Sequence, residues 1–99
     1  MTLFVVLFED DIDRAEEVRR HHMPVHLDFL ERNAAAIKAA GPLRGADGMP
    51  AGGLWLVEAA DQEHVEYLVR EDPFWSTGLR RSVRVHAWHQ VFANGARAQ

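Results

Sequence analysis

The chain has 99 residues, 47% of them hydrophobic, carries a formal net charge of -4 and contains no cysteine. That length supports one compact core and hardly two, and so small a domain gains from oligomerisation because it buries a smaller share of its surface than a large one. Without thiols, disulfides and thiolate zinc centres are excluded, and the acidic balance argues against a nucleic-acid surface, which needs clustered positive charge.

The first run, "TLFVVLF", spans Thr2 to Phe8 and is followed at once by Glu9, Asp10 and Asp11. It has no basic leader and is too short to cross a bilayer, so neither a signal peptide nor a membrane segment is expected and the cytoplasm is the default location. Apolar at every position from Leu3 to Phe8, it predicts a strand covered on both faces and central in its sheet.

Three of the six histidines follow in "HHMPVHLDFL", His21 to Leu30. From Met23 the apolar residues Met23, Leu27, Leu30, Ala34 and Ile37 recur at steps of three and four, one face of a helix running from about Pro24 to Ala40. Pro24 is placed in the first turn, and "AAGP" at Ala39 to Pro42 stops the helix. His26 falls roughly 60° from the centre of the apolar stripe, at the edge of the buried face, where it can point into a cleft. His21 and His22 read as solvated residues at the helix start. His22 and His26 are four apart, a metal-ligand spacing, but the residues before a proline tend to be extended and no HExxH-like pattern is present, so no metal is expected.

The glycine-rich "RGADGMPAGG", Arg44 to Gly53, predicts a hairpin loop between a short strand near Pro42 to Arg44 and the strand "GLWLVEA". Asp61 is a candidate N-cap for a helix carrying Val65, Leu68 and Val69, which must end by Asp72 because Pro73 disfavours helical geometry before it. Asp72 stands where the helix dipole disfavours negative charge; it either starts the turn before Pro73 or has a chemical role. Arg80, Arg81 and Arg84 form either a solvated edge or a clamp for a carboxylate or phenolate. In "SVRVHAWHQVF" Val83, Val85, Ala87, His89 and Val91 alternate with Arg84, His86, Trp88, Gln90 and Phe92. Arg84, His86 and Trp88 are candidate substrate-binding residues if their face lines a cavity, and core residues if it packs on the helices. The tail, 93–99, is small and polar and predicted to be flexible.

Strand, helix, strand, strand, helix, strand is the order of an α+β, ferredoxin-like βαββαβ domain with an antiparallel sheet, here a single domain over 1–99. Both helices cover one face of such a sheet, yet the first strand is apolar on both sides and Trp55 and Trp88 add large side chains. The second face therefore predicts a homodimer with sheets face to face, and the space between them is a natural small-molecule pocket.

Read together, "MPVHLDFLERN", "AAGPL" and "EDPFWSTGLRRSVRVHAWHQVF" resemble the YciI-like family of the dimeric α+β barrel superfamily. The matching residues are His26 with Leu27, Gly41 with Pro42, Asp72 with Pro73 and Phe74, Gly78, and Val83 with Val85. The resemblance covers nearly the whole chain and implies a ferredoxin-like dimer whose site is built from His26 and Asp72. One characterised branch is similar to a dehydrochlorinase of a chlorinated hydroxyhydroquinone, and related barrels include muconolactone isomerases. The chain departs from many relatives in "RRHHMP", where an arginine commonly stands nearer the histidine.

The chemistry agrees with the pair. A carboxylate bonded to one ring nitrogen fixes the tautomer and makes the other nitrogen a proton acceptor. Proton abstraction followed by elimination or isomerisation of a small aromatic or lactone-type substrate needs no cofactor. The alternative is a non-catalytic domain, binding a small molecule or serving as an accessory dimer; the two readings divide on whether His26 and Asp72 meet.

Overall fold

The computed structural model describes residues 1–98. Strand β1 (Thr2–Asp10) leads into α1 (Ile12–Arg32), then β2 (Ile37–Arg44), β3 (Pro50–Ala59), α2 (Gln62–Glu71), a 3-10 turn at Trp75–Thr77 and β4 (Arg80–Ala87). The sheet is antiparallel in the order β2-β3-β1-β4, so β1 is central as its unbroken apolar run required. The fold is α+β and ferredoxin-like. Among the described residues no helix is long and apolar enough to cross a membrane.

Alternation along β1 divides the sheet. Phe4, Val6 and Phe8 are buried under the helices together with Trp55, Val57, Phe29, Val65 and Leu68. The register sets Val6 opposite Trp55 and Val85, and Phe8 opposite Val83, so those side chains share the helix-facing side. Leu3, Val5 and Leu7 point the other way, and Leu7 pairs with Leu54 and Arg84, Val5 with Leu56 and His86. The second face thus carries an apolar stripe, but Trp55 is not part of it: that side chain is 1% exposed in the helix-side core.

The first helix corrects the sequence expectation. It begins at Ile12, capped by the Asp11 carboxylate accepting from Asp13 N–H at 3.1 Å, and ends at Arg32, with Pro24 in its interior. The buried stripe is Ala15, Val18, His26 and Phe29, while Leu27 is 48% exposed. Charged residues between Asp13 and Arg20 hid the first two turns from an apolar count. The expected continuation to Ala40 is instead a turn followed by β2, because pairing with β3 and burial of Ile37 outweigh the helix propensity of the alanines.

The second helix follows expectation, with the Asp61 carboxylate accepting from His64 N–H at 2.9 Å and Val65, Leu68 and Val69 buried. β4 stops at Ala87, short of the expected Phe92. Beyond it Phe92–Ala93 pairs with Ala96–Arg97 in a hairpin turned by Asn94 and Gly95 at positive φ, which overlaps the tail expected to be flexible, 93–99.

Candidate active site

Asp72 is the residue on which the local structure turns. It caps the C-terminus of α2 in extended geometry, as the residue before a proline prefers, and is 3% exposed. Its Oδ1 accepts Phe74 N–H at 3.1 Å, closing a turn that buries the Phe74 ring completely. The same oxygen lies 2.7 Å from Nδ1 of His26, which is 6% exposed on the buried stripe of α1. An ionised carboxylate only accepts, so Nδ1 carries the proton and Nε2 is left as the basic nitrogen. The imidazole also stacks on Phe74, centroids 4.0 Å apart and planes 15° off parallel.

A charge network extends from this pair. Arg80 Nη2 faces Asp72 Oδ2 at 3.8 Å, and its Nη1 donates to Asp10 Oδ1 at 2.9 Å. Asp10 Oδ2 accepts from Arg19 Nη2 at 2.8 Å. A register shift between Glu9 and Asp10 ends β1 and sets Asp10 opposite Arg80. Burial pushes the Arg80 guanidinium below its usual range, opposed by the charge and hydrogen bond of Asp10 and by Asp72.

His26, Arg19 and Arg80 line a cavity of about 120 Å3 between α1 and the ends of β2 and β3, walled by Met23, Leu27, Leu30, Gly41, Pro42 and Trp55. Gly53 forms part of the wall: a Cβ there would lie 3.3 Å from Arg80 Nη1 and 3.8 Å from Arg19 Nη2. The arrangement joins a small, partly apolar hollow, an imidazole bonded to a buried carboxylate, and two guanidiniums.

The chain belongs to the YCII-related family. The YCII-related domain matches residues 3–89. Among solved structures it is similar to 5-chloro-2-hydroxyhydroquinone dehydrochlorinase of Burkholderia phenoliruptrix in complex with 2,5-dihydroxybenzoquinone. That pair is 30% identical with a TM-score of 0.77, over 89% of this chain and 94% of the other. A conserved protein of Methanosarcina mazei (15% identity, TM-score 0.53, 90% and 93% covered) and an uncharacterized NIPSNAP domain protein of Burkholderia xenovorans (11%, 0.52, 90% and 93%) share the fold. No curated protein matches significantly.

This YCII-related chain brings its two expected site residues, His26 and Asp72, into contact. Arg84 and His86 are not with them: β4 turns both to the opposite face of the sheet, and exposed Trp88 follows the strand, its N–H bonded to Leu3 O at 2.8 Å. His22 is helical despite Pro24, against expectation, and lies with His21, Arg14 and Thr77 along a separate groove. Among the described residues no three His, Asp or Glu side chains gather as a metal site. Sequence reasoning missed Asp10 and the separation of Arg80 from its neighbours, and did not separate Arg19 from Arg20 in "RRHHMP". An aspartate directly ending an apolar strand was the available sign for Asp10.

Proposed function

We propose that this protein is a cofactor-free acid/base enzyme in which His26 accepts and returns a proton and Asp72 orients it. The carrying observation is the buried 2.7 Å contact between His26 Nδ1 and Asp72 Oδ1 at the wall of a small cavity. At about 120 Å3 the cavity is of the same order as, and a little smaller than, the hollow of about 150 Å3 that holds benzene, so it takes at most part of a substituted ring. The substrate class is a small aromatic or lactone-type molecule undergoing elimination, dehydrochlorination or isomerisation. In a dehydrochlorination the base removes a proton, the electron pair forms the new double bond and chloride leaves. The similar dehydrochlorinase, bound to a planar dihydroxyquinone, supports this class.

The same reading includes a homodimer, formed through the apolar stripe of Leu3, Val5, Leu7, Leu54 and Leu56, working in the cytoplasm on a small-molecule ligand. Arg84, His86 and Trp88 are assigned to ligand contact in the space between the two sheets rather than to the cavity at His26.

Chlorinated hydroxyhydroquinones are the first panel to try, with chloride release as the signal and 2,5-dihydroxybenzoquinone as a binding probe followed by its absorbance. With a turned-over member of that panel, His26→Gln is expected to lower kcat by about 10²- to 10⁴-fold, the range of general acid/base catalysis, while leaving circular dichroism unchanged. Unchanged turnover in a folded variant would remove His26 from the mechanism.

A further inference from the structure

Arg80 is a cation whose side chain is only 3% exposed, and its Nε–H has no partner among the described residues. Its guanidinium carbon lies 4.0 Å from the centroid of Phe8 and 5.2 Å from that of Phe74. If the space between these two rings only had to be filled, an apolar side chain would serve, because replacing buried ion pairs by well-packed apolar groups is often neutral or stabilising. The charge itself therefore needs a reason.

Its partners supply one. Contacts of 2.8, 2.9, 3.8 and 2.7 Å join Arg19, Asp10, Arg80, Asp72 and His26 in a chain of alternating guanidiniums and carboxylates that ends at the imidazole. The chain leaves α1 at Arg19, crosses β1 and β4, passes through the cap of α2 and returns to α1 at His26, on the wall of the same cavity. Arg80 is the link between its two carboxylates, a task for which a planar guanidinium is suited and a point charge is not.

We propose that Arg80 is a positioning residue for the acid/base centre: by facing Oδ2 of Asp72 while anchored on Asp10, it holds the carboxylate turned so that Oδ1 receives His26 Nδ1–H. The catalytic meaning of this rests on the reading of His26 as the proton carrier; the geometric claim does not. Phe74 reinforces the arrangement, its N–H fixing the same Oδ1 and its ring packing against both the imidazole and the guanidinium.

The test needs no substrate. In wild-type protein labelled with 15N-histidine, at a pH where the His26 ring is neutral by its own spectrum, Nδ1 and Nε2 should give widely separated resonances, the signature of one tautomer. In Arg80→Lys, which keeps the charge but cannot bridge both carboxylates, the two resonances should converge as the second tautomer becomes populated. A folded Arg80→Lys protein with the wild-type separation, whatever its melting temperature, overturns the proposal and leaves Arg80 a structural residue. If Arg80→Lys does not fold, the near-isosteric Asp10→Asn, which loosens the anchor of Arg80, is read by the same criterion. Retained turnover in His26→Gln would instead sink the proposed function and leave the tautomer result standing.

Discussion

At the scale of single residues, the site depends on side chains that the sequence offered with very different clarity. His26 and Asp72 stood out, one two residues after a proline and one directly before a proline, and their motifs paired them. Arg80 did not, because in sequence it is one of a run with Arg81 and Arg84, and only burial separates it from those exposed neighbours. Phe74 was part of the resembling motif, but its role as a floor under the imidazole is purely spatial. Phe74→Ala should cost about 3–5 kcal/mol, as for other buried aromatic residues, measured by urea unfolding. Gly52 has a separate constraint. At φ 93° its missing Cβ would collide with Phe8 O, so Gly52→Ala must displace β1 or β3 and should lower stability by at least about 1 kcal/mol. A wild-type denaturation midpoint for that variant would show that the close approach is easily relieved.

At the scale of elements, the second helix was legible and the first only half so, and the difference is physical. In α2 the cap, the apolar stripe and the terminating proline agree. Asp61→Ala should cost about 1 kcal/mol through the lost bond to His64 N–H, read from the shift in thermal midpoint. In α1 the signals conflict, since Pro24 suggests a start where the helix is already in its fourth turn and the alanines suggest continuation where a strand begins. An interior proline removes a hydrogen bond and crowds the preceding turn. Exposed Pro24→Ala is therefore expected to raise stability, by about 1 kcal/mol or more, in the same thermal assay.

At the scale of the whole molecule, the open sheet face is where one copy of the chain is least self-sufficient. Leu3, Val5, Leu7, Leu54 and Leu56 form an apolar stripe, half-buried in the single chain, on the sheet face opposite the helix-side core. On the proposed dimer, wild type should sediment as two copies and Leu7→Glu as a folded monomer, because a carboxylate on that apolar stripe cannot be desolvated without cost. A dimeric Leu7→Glu protein would place the interface elsewhere. The sequence by itself determined the fold class, the central place of β1, the extent of α2 and the identity of the His–Asp pair, because those follow from local patterns and short motifs. Only the tertiary structure decided the start of α1, the strand made from the alanine segment, the face on which Trp55 packs, and the burial of Arg80 between two carboxylates. Each of these is settled by partners distant in sequence: Asp10 and Arg80, or His26 and Asp72, become neighbours only when the sheet register and the helix layer are in place.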